Sequence, residues 1–194
     1  MAARGDTRAK LLEAAVDVLA EQGMGAFTHR VIEQRAGVYH GATTHFFGTR
    51  DELVDAVFGH LFALDAQTVR EQPGVAMVPV PAIDPDAVRA MITAGACALF
   101  ESPREARARY ALVVHAAQEP RLQGSLRHWR GAIVEATAPF MAALGSTAPQ
   151  ASARAFIAGV DGLLLHRLST PDAWEGEPLG PIVDALLAGA LTLP

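Results

Sequence analysis

Thr28 to Leu53, THRVIEQRAGVYHGATTHFFGTRDEL, is the stretch whose reading decides the fold. It reads as a short helix, a tight turn, a second short helix and the start of a third. Thr28 can cap the first of these, because its hydroxyl can accept a hydrogen bond from an unsatisfied first-turn amide. Ile32 supplies the apolar side of that helix. Ala36-Gly37-Val38 makes the break, since glycine tolerates the positive φ that a sharp helix-to-helix turn demands. The second helix, about Tyr39 to Phe46, carries mainly small and polar side chains: Tyr39, His40, Gly41, Ala42, Thr43, Thr44 and His45. A helix built only to pack would carry more apolar residues, whereas one presented to a DNA groove has this make-up.

Helical spacing continues on both sides. About Asp6 to Gln22, the residues Leu11, Leu12, Ala15, Val18 and Leu19 fall on one face, and Gly23 ends the helix. Thr49 can cap the helix that carries Leu53, Val57, Leu61 and Leu64 to about Arg70, with Asp51 and Glu52 in the first turn where the helix dipole favours them. Glu71 to Ile83, EQPGVAMVPVPAI, cannot continue it: three prolines among valines favour an extended backbone. Asp84-Pro85 then opens a helix to about Glu101, and Ser102-Pro103-Arg104-Glu105 matches a capping box for the next, to about Ala117. Further helices are expected over about Pro120–Ala143, with Pro139 inside, Pro149–Leu168 and Leu179–Leu191. No strand pattern of comparable strength and no repeat is present. The expectation is an all-α chain of about nine helices, with a helix-turn-helix domain over residues 1–48 and a helical effector-binding and dimerisation domain over 49–194.

Composition narrows the class. The 194 residues are 51% hydrophobic, yet no apolar run approaches the roughly 18 residues of a membrane span. MAARGDTRAK at the start lacks the apolar segment of a signal peptide, and the one cysteine, Cys97, rules out an internal disulfide; both lead to the expectation of a cytoplasmic protein without membrane attachment. So much apolar content in a modest chain implies extra surface to hide, as in a dimer interface or a ligand cavity. The net charge of −5 argues against nucleic acid in sum. Distribution matters more: Arg30, Arg35 and Arg50 outnumber Glu33 between Thr28 and Arg50, and His29, His40 and His45 add donors.

The N-terminal block resembles the tetracycline-repressor (TetR) family of transcriptional regulators. Arg8, Leu11-Leu12, Ala14-Ala15, Gly23, Thr28, Ile32, Ala36-Gly37-Val38, Gly41, Phe47, Arg50, Glu52 and Leu53 carry the resemblance, which covers about residues 6 to 55. Beyond them it rests on helix number and length. The chain departs from the family pattern at Glu33, where a small alanine is usual, at His29, usually apolar, and at Thr43-Thr44, where Leu-Tyr is common and the tyrosine often touches a phosphate.

Tyr39, His40 and Thr43 are the candidates for base edges, because the first turns of a recognition helix enter the major groove. Gly41 would let the helix approach the DNA closely. Thr28, Arg30, Thr44, His45 and Arg50 are candidates for phosphate contacts, which position a protein without specifying sequence. Met91, Phe100, Tyr110, His115, Trp129, Phe140 and Phe156 lie on helices that could surround a mostly apolar ligand pocket with a few polar anchors. Cys97 reads as a small core residue. HExxH, GxSxG and a Gly-rich phosphate loop are absent from the sequence, so no catalytic residue, metal or cofactor is expected. The last two helices interleave Ala158, Gly159, Gly162, Ala185, Ala188 and Gly189 with large apolar residues, a pattern that lets helices approach on two sides. What the resemblance implies is a homodimer, formed through these two helices, that binds palindromic double-stranded operator DNA and is released by a small apolar effector. The rival expectation is an all-α ligand-binding or enzymatic protein that keeps the N-terminal block only as scaffold. Glu33 and the thin basic excess speak for it.

Overall fold

The computed structural model describes residues 2–71 and 84–194. Nine α-helices are found among them: α1 (Ala2–Gln22), α2 (His29–Ala36), α3 (Ala42–Phe47), α4 (Arg50–Arg70), α5 (Pro85–Ala98), α6 (Pro103–Gln118), α7 (Gln123–Ala143), α8 (Pro149–Ser169) and α9 (Leu179–Leu191). Short 3-10 turns follow α1, α5 and α8, and no strand occurs among the described residues. The all-α expectation therefore holds. Of the segment expected to be extended, all but Glu71 lies outside the described residues.

Packing divides the chain into two compact units. The first holds the chain up to Leu64 together with Pro103–Trp129, and the second holds Asp65–Ser102 and Arg130–Pro194.

In the first unit, the α1 face read from the sequence is buried, and Ala14 and Val16 are buried beside it. The face is broader than one stripe because α2 and α6 both pack on α1. Its core continues through Phe27, Ile32, Ala42 and Phe47, then Leu53, Val57 and Leu61 of α4, and Ala108, Leu112 and Ala116 of α6. The polar rim of α1 is tied down by side chains from α6 and α4. Arg104 of α6 reaches Asp17 (2.6 Å) and Glu13 (2.9 Å), and His60 of α4 meets Glu13 at 2.7 Å. Glu105, expected to close a capping box on Ser102, instead accepts from Arg104 Nη1 at 2.7 Å. Helix α7 begins at Gln123, three residues later than expected, because Pro120–Leu122 form a turn closed by Leu122 N–H donating to Glu119 O (3.0 Å).

In the second unit, Asp84 caps α5 by accepting from the Ala87 amide (3.3 Å), with Pro85 opening the helix as expected. Phe156, Val160 and Leu164 of α8 and Val183, Leu187 and Ala190 of α9 turn inward. Gly159 lets these two helices approach closely: a Cβ there would lie 3.0 Å from Leu186 Cδ2. The single charge of α9, Asp184, accepts a hydrogen bond from the Thr93 hydroxyl of α5. Leu165 on α8 remains 51% exposed, and Ala155, Ala158 and Gly162 on α8 and Ala185, Ala188 and Gly189 on α9 are exposed too. No helix among the described residues is long and apolar enough to cross a membrane.

Candidate nucleic-acid interface

Backbone conformation sets the helix-turn-helix end of the first unit. Thr28 caps α2 as expected, its Oγ accepting from the Val31 amide (3.3 Å). Gly37 ends α2 at φ +64°, and its amide and that of Val38 close the turn on the carbonyls of Gln34 and Glu33. The next helix starts at Ala42 rather than Tyr39. Gly41 adopts φ +89°, a left-handed conformation that interrupts the helical path, so Tyr39 and His40 stand in the turn before α3. A Cβ on Gly41 would meet nothing of the chain itself within 4 Å, so within the fold it is the left-handed conformation that calls for glycine. At the far end, Thr49 and Glu52 form a reciprocal capping box for α4. Thr49 N–H and Oγ–H donate to Glu52 Oε2 (2.7 and 2.9 Å), and Glu52 N–H donates to Thr49 Oγ (3.2 Å).

Glu33 organises the turn from beneath. Its Oε1 accepts from the Thr43 amide (3.0 Å) and the Thr43 hydroxyl, and its Oε2 lies 3.1 Å from His40 Nδ1. Burial disfavours the charged carboxylate most strongly. The bonds from Thr43 Oγ, the amides of Thr43 and Gly41, and His40 together outweigh it, lowering the Glu33 pKa from 4.5 to about 2. Thr43, expected at a base edge, is 0% exposed and cannot serve there; it is the buried partner of Glu33.

This geometry fixes a pH dependence. Because the folded state lowers the Glu33 pKa, its contribution to stability is present above pH 4.5 and is lost as the pH falls towards 2. Chemical denaturation of wild type and Glu33→Gln across that range is expected to show a stability gap that narrows on acidification. A gap constant from pH 7 to 2 would contradict the assignment.

The other sequence candidates surround this support. Tyr39 is 59% exposed, and Thr28, Arg30, His40, Thr44, His45 and Arg50 are also exposed. Arg30, Gln34, Val38 and His40 line a shallow depression with Glu33. Arg30 and Arg50 have no ion-pair partner among the described residues, whereas Arg35 is taken up by Asp17 and Glu21 of α1. Thr44 Oγ lies 3.1 Å from His29 Nδ1, so His29 supports the exposed face from a half-buried position. Phe47 is core, with Arg8 stacked 5.2 Å from its ring centroid.

The candidates for a ligand pocket are divided. Tyr110, His115 and Trp129 belong to the first unit, and Met91, Phe100, Phe140 and Phe156 to the second. Tyr110 and His115 line an open groove of about 430 Å³ with Met24, Ala111, Val114 and Gln118. Trp129 is anchored by donating to Asp55 (3.2 Å), with the Phe62 ring at 5.6 Å. Met91, Phe100 and Phe156 are buried. Burial, then Asp184 and Glu101, raises the Cys97 thiol pKa, which suits an inert packing residue. No cluster of three potential metal ligands occurs among the described residues.

Comparison with known proteins covers nearly the whole chain. The family model described as "Tetracyclin repressor-like, C-terminal domain" matches residues 83–193, and that of "Bacterial regulatory proteins, tetR family" matches residues 11–57. The HTH-type transcriptional repressor Rv3405c of Mycobacterium tuberculosis is 45% identical over 58 residues, 30% of this chain and 31% of that protein. The crystal structure of a transcriptional regulator (RHA1_ro04179) from Rhodococcus sp. Rha1 is similar over 96% of this chain and 98% of its own, with 26% identity and a TM-score of 0.77. A TetR family member from Streptomyces coelicolor (SCO1917) shares the fold over 96% of this chain and 99% of its own, with 24% identity and a TM-score of 0.71. The multidrug binding protein EbrR, crystallised with ethidium, does so over 95% and 97%, with 24% identity and a TM-score of 0.68.

Proposed function

The chain belongs to the tetracycline-repressor family of bacterial regulatory proteins, and on that premise we propose that it is a cytoplasmic transcriptional repressor that binds double-stranded operator DNA as a homodimer. The observation that carries the reading is the exposed set Tyr39, His40, Thr44 and His45 around the start of α3, flanked by Arg30 and Arg50. In this reading Tyr39 and His40 approach base edges, while Thr28, Arg30, Thr44, His45 and Arg50 contact phosphates. A two-fold dimer then requires a palindromic operator with half-sites about one helical turn, or a multiple of it, apart.

The exposed small and apolar residues of α8 and α9 support dimerisation through these helices. The effector is a small apolar molecule, consistent with the aromatic and sulfur side chains of Met91, Phe100, Phe140 and Phe156 in the second unit. It relieves repression only by preferring the state that binds DNA poorly; equal affinity for both states would change nothing.

Binding to the DNA flanking the coding region, measured across a salt series, tests the reading. Affinity is expected to fall steeply with salt, and Arg50→Ala to weaken binding by a similar factor on all sequences while reducing the slope of log K against log salt by about 1 per protomer. Equal slopes for wild type and variant would remove Arg50 from the interface. No retention of any duplex at low salt would defeat the DNA-binding reading and leave the all-α ligand-binding alternative.

A further inference from the structure

Beneath the reading turn sits a carboxylate whose two oxygens have different tasks. Oε1 is committed to the Thr43 amide and hydroxyl, which fixes the group in place, and only Oε2 faces His40. The Glu33 side chain is 4% exposed and the His40 ring 91% exposed, so a buried anchor holds a ring that projects into solvent. An ionised carboxylate accepts hydrogen bonds and donates none, so the proton between them belongs to His40 Nδ1. In the neutral ring the remaining nitrogen, Nε2, then carries a lone pair.

We propose that Glu33 is a positioning residue that sets which base His40 reads: by accepting the Nδ1 proton it presents Nε2 as an acceptor, which selects an exocyclic amine, adenine N6 or cytosine N4, in the major groove. The inference rests on the DNA-binding reading above. Guanine and thymine offer acceptors at the corresponding groove positions, which a lone pair cannot satisfy. Choosing the base thus falls partly to a residue that never touches DNA. Arg30, which shares the depression with Glu33 and His40, is the nearby cation that this arrangement leaves available for the backbone.

Glu33→Gln inverts the arrangement with little change of shape. Its amide oxygen can still accept from Thr43, while its amide nitrogen turns a donor towards His40, so the ring accepts at Nδ1 and carries its proton at Nε2. Two measurements on the full chain test this. Histidine ¹⁵N spectra of the free protein, at a pH where the ring is neutral, are expected to show the proton on Nδ1 in wild type and on Nε2 in Glu33→Gln. Selection from a randomised duplex library is expected to give adenine or cytosine at one position of each half-site for wild type. Glu33→Gln should shift that position towards guanine or thymine, a change of about tenfold in relative affinity. His40→Ala, which leaves the core untouched, should lose preference at the same position, so the idea stays testable should Glu33→Gln fold poorly. A wild-type proton on Nε2 overturns the inference, as does a consensus unchanged in Glu33→Gln or in His40→Ala, with the DNA-binding reading left standing. Failure of wild type to retain any duplex at low salt overturns both.

Discussion

Replacing Glu33 by alanine is expected to cost about 3 kcal/mol of stability, because it strands the Thr43 amide and hydroxyl in a buried site without an acceptor. Each buried, unsatisfied group costs about 1–3 kcal/mol, partly offset here by removal of a desolvated charge. Thr43→Leu alone is expected to cost about 2 kcal/mol, since it sets a larger apolar side chain against a buried carboxylate that loses its hydroxyl donor while keeping the residue-43 amide. The double variant Glu33→Ala/Thr43→Leu removes the unpaired hydroxyl but still leaves the residue-43 amide without its acceptor, so it should lie about 1–3 kcal/mol below wild type and lose less than the sum of the single variants. In a chain of this size the single variants should melt roughly 6–12 °C lower. Urea or thermal denaturation of the four proteins settles the matter: purely additive losses would mean that Glu33 and Thr43 do not act as a pair.

The second large effect concerns assembly. Leu165→Arg, at a half-exposed position on α8, is expected to convert the proposed dimer to a monomer and to lower operator affinity by at least about a hundredfold. Burying an unpaired cation at a helix contact is costly, and a monomer forfeits the gain from binding two half-sites at once. Sedimentation of both proteins at micromolar concentration, followed by operator titration, measures the two consequences separately. A wild-type monomer, or a Leu165→Arg dimer, would exclude this face as the interface.

Much of the fold was legible because its signals are local. Thr28, Gly37 and Asp84 act within a turn of themselves, and the structure places caps and breaks where they stand. The start of α3 was not legible. A run of small polar residues from Tyr39 looks continuous until Gly41 takes a left-handed conformation and moves the start of the helix three residues later. Thr43 was misplaced for a different reason. A polar residue is read as outward-facing unless its partner is known, and Glu33 lies ten residues earlier on another helix. A usable sign was present: a glutamate beside Ile32, and a threonine across the glycine turn where an apolar residue is usual. The residues proposed to line a pocket could not be sorted at all, because helical apolar spacing serves a packed core and a ligand cavity equally.

The cap of α3 has a consequence for what holds DNA. The first-turn amides of a helix form a ready seat for an anion, a seat that a backbone phosphate could take. Here the Glu33 carboxylate already occupies it, as a built-in counterfeit phosphate. In the proposed complex, backbone attachment would therefore rest on cationic side chains such as Arg30 and Arg50, whose contacts exchange with dissolved ions. A regulator gripping DNA this way would read ionic strength along with sequence, loosening as salt rises more sharply than one that grips through its own peptide amides.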